Sequence, residues 1–238
     1  IHPKTRKTAQ MNMKKMPWMS LGALALAVAA VAPASAQQKS VAVTAIVEHP
    51  ALDSVRDGVQ AALKEAGFEA GKNLQWQYQS AQGNSVTAPQ TPRSTPGDTP
   101  VPYAALATPS AQAVIAATKT VPVVFSAVTD PVAAKLVKNW EPSHTNVTGV
   151  SDLLALDKQM DLVKQVVPGA KRVGVVYNPG EANSVVVVKE LQALLPKLGM
   201  TLVEAAAPRS VDVSSAARSL IGKVDVIYTS TDNNVVSA

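Results

Sequence analysis

Residues 41–78 read VAVTAIVEHPALDSVRDGVQAALKEAGFEAGKNLQWQY, and the succession of patterns inside this stretch decides the fold class. Val41 to Val47 is an apolar run of strand length. Val55, Val59, Leu63 and Ala66 then recur at helical spacing, and Gly67 supplies a helix stop. Leu74 to Tyr78 alternates and reads as a second strand. Strand, helix and strand in that order form a βαβ unit, which needs a parallel sheet to pack on.

The same alternation continues toward the C-terminus. Ser110 is read as the cap of a short helix carrying Ala113, Val114 and Ala117, followed by a strand at Val121 to Phe125. Asp130-Pro131 pairs an N-cap residue with proline at the first helical position, ahead of Ala133, Leu136 and Val137. Asn146 to Val150 is strand-like, and Asp152 is placed to cap a helix whose Leu156, Met160, Val163 and Val167 share one face. Met160 belongs to the core on this reading. Val173 to Tyr177, a helix from Glu181 toward Gly199, Thr201 to Ala205, a helix around Ala216 to Leu220, and Val224 to Tyr228 complete the series. The β-branched run at 185–188 and Pro196 blur the end of the longest of these helices.

The expected architecture is α/β, with two Rossmann-like lobes and parallel sheets: an N-terminal lobe over 37–150, then a hinge-proximal helix and a partial C-terminal lobe over 151–238. Two features depart from a regular alternation. Pro89, Pro92, Pro96, Pro100 and Pro102 remove donors from a segment where a helix and a strand are due; it reads as an external loop or as a locally altered reading frame. Asp232 to Ala238 enters a further βα junction without the helix to cover it, so the second lobe is expected to be incomplete, through truncation at the C-terminus.

Composition restricts the function classes. The 238 residues include no cysteine, which removes disulfides, thiol catalysis and thiolate metal sites. The formal charge of +5 sits entirely in residues 1–36, which hold five basic and no acidic residues; the remainder is formally neutral, and nucleic acid is not an expected partner. Within that leader, Lys14 and Lys15 precede an apolar run from Leu21 to Val31 and an Ala34-Ser35-Ala36 cleavage site, the three parts of a secretory signal. The run is shorter than the roughly 20 residues that span a bilayer. Export, cleavage near Gln37 and a soluble periplasmic product are expected.

Open parallel sheets bind ligands beyond the carboxyl ends of their strands, and polar residues collect at those places here. His49 and Asp53 follow the first strand; Thr108 and Ser110 open a helix; Thr129 and Asp130 follow Phe125. Asn178, Glu181, Asn183 and Ser184 follow Tyr177, and Asp232 and Asn233 follow Tyr228. Hydroxyls, amides and helix N-termini suit a small anionic or carboxylate group, while the acidic residues suit an ammonium group. Together they point to an amino acid or related zwitterion. No nucleophile elbow, phosphate-binding loop or HExxH motif is present, and three dispersed histidines have no metal-ligand spacing, so no cofactor and no metal are expected.

The runs EHPALDSVRDGVQAALKEAGF (48–68), ATPSAQAVIAAT (107–118), VPVVFSAVTDPVAAKLV (121–137), NVTGVSDLLALDKQMDLVKQVVPGAKRVGVVYNPGEANS (146–184) and DVIYTSTDNNV (225–235) together resemble ABC-transporter substrate-binding proteins of the TrpX/YtcS-like group, which have a type I periplasmic binding fold. The resemblance implies a two-lobed clamp that delivers a small-molecule solute to a cognate permease in the membrane, acting as a monomer. It implies that His49, Asp53, Thr108, Ser110, Thr129, Asp130, Asn178, Glu181, Asn183, Ser184, Asp232 and Asn233 map onto the ligand loops. Some members of the group are associated with aromatic amino acids. The competing reading is an exported α/β hydrolytic enzyme, which needs a hydroxyl such as Ser110, Ser184 or Thr129 beside His49 or a carboxylate.

Overall fold

The computed structural model describes residues 38–84 and 101–238, so the leader and most of the proline-rich segment lie outside it. Five strands form the first sheet: β1 (Lys39–Ala45), β2 (Leu74–Ser80), β3 (Tyr103–Leu106), β4 (Val123–Val128) and β5 (Val147–Ser151), all parallel, in the order β2-β1-β3-β4-β5. Helix α1 (Pro50–Glu65) links β1 to β2, and α2 (Thr108–Ala117) links β3 to β4. The second sheet is β6 (Arg172–Tyr177), β7 (Thr201–Ala206) and β8 (Val226–Tyr228), parallel in the order β7-β6-β8. It is accompanied by α3 (Leu156–Val166), α4 (Ala182–Leu194), α5 (Val213–Ser219) and α6 (Asn233–Val236). The expected α/β class with parallel sheets is what the protein adopts.

Each sheet builds its core from the apolar runs that marked it in sequence. Val43, Ala45, Ile46, Leu52, Ala104 and Leu106 pack on one side of the first sheet; Ala105, Val114, Val123, Phe125 and Val147 are buried in a second cluster. In the second sheet Val173, Val187, Leu191 and Leu195 surround Met160, which is fully buried as a core residue. Helix α4 forms despite its β-branched run because Val187 and Val188 are buried, and burial outweighs the few tenths of a kcal/mol of lost propensity per residue. Pro196 converts its last turn to a 3-10 segment at Leu195–Leu198, closed by left-handed Gly199.

Three local expectations are corrected. Tyr103–Leu106, at the edge of the segment expected to lack regular structure, is the central strand of the first sheet and is wholly buried. The helix expected after Asp130-Pro131 is one turn. Asp130 Oδ1 accepts from Val132 N at 2.8 Å and Ala133 N at 3.0 Å, but Lys135 is left-handed at φ 60°. Lys135 N donates to Val132 O and Leu136 N to Pro131 O, which closes a Schellman turn before a second helical turn can begin. Leu136 is still delivered to the core. Ser110 and Asp152 cap nothing: α2 and α3 are preceded by Ala107 and Ala155 without side-chain caps, which leaves both polar groups available for other work.

Candidate functional site

A 2-1-3 strand order has a topological switch point, where the connections leave the first strand in opposite directions and a crevice opens at the strand ends. In the first sheet that point lies between β1 and β3, and in the second between β6 and β8. The two crevices share one cleft of ≈ 420 Å³, within the usual range of about 300–1,000 Å³ for small-ligand sites. From the first sheet come His49 after β1, Ala107 and Thr108 after β3, Ala127 and Thr129 at the end of β4, and Ser151 and Asp152 at the end of β5. From the second come Asn183 at the start of α4 and Ser230, Thr231 and Asn233 around the start of α6. Leu52, Val55, Val150 and Val236 supply the apolar wall.

Several polar groups facing this space lack partners. Thr108 Oγ1, Ser230 Oγ, Asp152 Oδ1 and Asn183 Oδ1 are buried without a hydrogen bond, as is Ser110 Oγ two residues into α2. Buried polar atoms are ordinarily satisfied, so such a set on one cleft marks groups that a ligand would complete. Burial pushes the Asp152 carboxyl above its ordinary value, and the Thr129 hydroxyl draws it part of the way back. His49 Nδ1 accepts from Ala51 N at 3.2 Å and so caps α1, which directs its Nε2 away from the helix. Across the cleft, the Thr129 and Thr231 hydroxyls bond at 3.1 Å, and Ser151 Oγ donates to Thr129 O at 2.7 Å.

Of the residues anticipated from sequence, His49, Thr108, Thr129, Asn183 and Asn233 line the cleft. The others support it or lie apart. Asp53 pairs with Arg56 at 2.8 Å, Asp130 holds its turn, and Asn178 Oδ1 accepts from Gly180 N at 2.9 Å. Glu181 Oε2 accepts from Asn183 Nδ2 at 3.0 Å, Asn233 N at 3.1 Å and Asn233 Nδ2 at 2.7 Å. Asp232 Oδ2 accepts from Asn178 N and Ser184 Oγ, each at 2.6 Å, and its Oδ1 accepts from Val235 N at 3.0 Å. Ser184 and Asp232 meet the hydroxyl–carboxylate proximity that a hydrolase would need, but both are fully buried and the carboxylate is consumed by two backbone N–H groups. That pair ties α4 to α6. Tyr177 and Tyr228 spend their hydroxyls on Glu204 and Gln159.

Asp152 is a functional candidate that the sequence patterns did not single out, and Ser230 belongs to the polar run after Tyr228 without having been separated from its neighbours. A signal for Asp152 exists, since it stands directly after a strand, but the helical pattern beginning at Leu156 gives it a competing role as a cap.

The family described as ABC transporter substrate binding protein matches residues 40–238. The chain belongs to that family. Among curated relatives of this substrate-binding family, a tyrosine-binding protein of Clostridioides difficile (strain R20291) is 41% identical over 204 residues, covering 86% of this chain and 59% of that protein. The chain thus spans about three fifths of that relative's length. A Vibrio cholerae O1 biovar El Tor conserved domain protein has a crystal structure with a TM-score of 0.80 at 50% identity, covering 84% of this chain and 68% of the other. The Streptococcus pneumoniae ABC domain in complex with L-Trp gives a TM-score of 0.78 at 32% identity, with the same coverage.

Two residues lining this cleft, Ala107 and Ala127, have positive φ without being glycine, and Ala107 is the more strained. Ala107 adopts φ 70° and ψ 155°, a region almost reserved for glycine that costs about 1–3 kcal/mol otherwise. Ala107→Gly is expected to raise the unfolding free energy by about 1 kcal/mol after the extra chain entropy of glycine is subtracted. A urea midpoint equal to or below that of the parent protein would show that no strain is stored there.

Proposed function

We propose that the chain is the solute-capturing component of an ABC uptake system, closing its two lobes on a small polar solute, an amino acid, without making or breaking a bond. The observation that carries this reading is the convergence of both switch points on one cleft furnished with unpartnered buried polar atoms. A carboxylate fits the first turn of α2, where helix N–H groups and the Thr108 and Ser110 hydroxyls supply donors without a formal positive charge. The side chain of the solute rests on Leu52, Val55, Val150 and Val236. Tyrosine and L-Trp, the ligands of two relatives, support an aromatic amino acid, and the apolar wall accepts other amino acids of similar size.

On this reading the protein works outside the cytoplasmic membrane, in the periplasm once its leader is removed, as a monomer that passes solute to its permease. His49, Thr108, Thr129, Asn183 and Asn233 touch the solute, while Glu181, Ser184 and Asp232 hold the second-lobe loops in place. Titration calorimetry of the full chain against the common L-amino acids should give saturable one-to-one binding for at least one of them. Absence of heat and of thermal stabilisation across the whole panel would remove the assignment.

A further inference from the structure

The outer edge of the first sheet lacks the devices that usually keep strand edges apart. The seven residues of β2, Leu74-Gln75-Trp76-Gln77-Tyr78-Gln79-Ser80, include no charge and no proline, and they pair with β1 residue for residue without a bulge. Among the described residues no strand lies beyond β2. Asn73 O accepts from Lys39 N at 3.1 Å and Ala81 N donates to Ala45 O at 2.8 Å, so the odd-numbered residues of this segment bond to β1. The backbone N–H and C=O groups of Trp76, Tyr78 and Ser80 therefore point outward. Leu74 closes a local turn instead, through Glu69 O and Gly71 N. The side chains alternate in step. Trp76 and Tyr78 pack on the cluster that contains Val43 and Leu52, and Arg56 of α1 stacks over the Tyr78 ring at 4.9 Å. Gln75, Gln77 and Gln79 occupy the opposite face, with Gln75 and Gln79 exposed and Gln77 half-buried.

We propose that β2 pairs with β2 of a second copy of this chain, antiparallel about a two-fold axis at Gln77. The run Gln-Trp-Gln-Tyr-Gln is close to a palindrome, which is the self-complementarity that such an axis demands. In this register Trp76 stands opposite Tyr78 of the second copy, and the outward backbone groups of both residues exchange ladder bonds. Their rings form cross-strand aromatic pairs on the α1 side of the joined sheet. On the other side Gln77 meets its own counterpart and Gln75 meets Gln79, amide to amide, so each carbonyl faces a donor. No like charges are brought together anywhere along the strand. A ladder this short buries less surface than a permanent dimer needs, so the association is concentration-dependent and the single copy remains the unit that passes solute on. Strand β2 contributes no residue to the ligand cleft, and pairing draws on nothing that capture uses.

Sedimentation velocity of the full chain from about 10 μM to about 1 mM should show a reversible equilibrium between one copy and two. Gln77→Lys and Gln77→Glu each set like charges on the axis and should weaken the pair about tenfold or more while leaving the urea midpoint unchanged. An equimolar mixture of these two variants should restore association, because the axis then joins opposite charges. The chain has no cysteine, so Gln77→Cys supplies a single thiol that lies about 4.5 Å, Cβ to Cβ, from its counterpart and should form a covalent dimer on air oxidation. Gln75→Cys is displaced from its own counterpart by about 13 Å along the ladder and should not. Should a charged variant lose stability, the two cysteine variants decide the question. The proposal is overturned by a parent protein that stays single across the whole range, by a folded Gln77→Lys variant that associates as the parent does, or by equal cross-linking at the two positions. The last two results would place the contact on another surface.

Discussion

Gly149→Ala should destabilise the first lobe by about 3 kcal/mol or more, enough to threaten folding of a domain of ordinary stability. Gly149 lies opposite Phe125 in the β4–β5 ladder, and a Cβ there would come within 2.3 Å of the Phe125 carbonyl oxygen and 2.4 Å of its ring carbons. The oxygen belongs to the sheet backbone and has no freedom to retreat. The ring is buried at 4% exposure, so its movement would also disturb Val123, Val128 and Val147 in the same cluster. The remaining route is displacement of β5, which carries Ser151 and Asp152 into the cleft. Denaturant unfolding should show a much lower midpoint, and any folded fraction should have lost solute affinity. A variant with parental stability would mean that the strands separate at this point far more easily than the packing allows.

Asp232→Ala should cost a similar amount, about 3 kcal/mol, for an electrostatic reason. Its carboxylate is fully buried and accepts from Ser184 Oγ, Asn178 N and Val235 N; truncation leaves one buried hydroxyl and two part-buried backbone N–H groups unpaired. The same residue contributes to a pH dependence. Burial, and secondly the charge of Asp232, hold the Glu181 carboxyl above its ordinary value of 4.5. The folded protein therefore binds this proton more strongly than the unfolded polypeptide does. Stability from this group is greatest near and below the unfolded value and falls as pH rises through the raised folded value, after which it is flat. Asp152, raised by desolvation, adds a slope of the same sign. Removing one charge with Asp232→Asn should flatten the Glu181 contribution, whereas Asp152→Asn should remove only its own. Urea midpoints measured from pH 4.5 to 7 on these variants resolve the two; an unchanged slope in both would mean that neither carboxyl titrates between these states.

The sheets were legible because strands of a parallel sheet are written as short apolar runs, and Val173 to Tyr177 or Val121 to Phe125 have few other uses, although Val124 stays exposed on the first sheet. Helix ends were harder to read, since Ser, Asp and Asn serve caps, turns and ligands through the same hydrogen-bonding chemistry. Asp130 shows the difficulty. Its capping bonds form as its sequence implies, but Lys135 takes the left-handed conformation without being a glycine, so no residue type announces that the helix stops. The strand-end rule pointed to the place where the cleft opens, whereas the hydrogen-bonding partners of each polar residue around it were invisible. Glu181 and Asp232 appear in sequence as natural partners for an ammonium group, yet the fold spends them on Asn233, Asn178 and Ser184. Asp152 keeps a free oxygen because α3 opens at Ala155, three residues further on, without drawing on a side-chain cap.

The bond between the Thr129 and Thr231 hydroxyls joins neutral groups, and every ion pair among the described residues lies inside one lobe or the other. Dissolved electrolyte acts on charge–charge attraction over several ångströms and leaves a short neutral dipolar contact nearly untouched. Added salt should therefore leave this hydroxyl contact between the lobes nearly unchanged, as it should the apolar contact of Ala182 with the core of the first sheet.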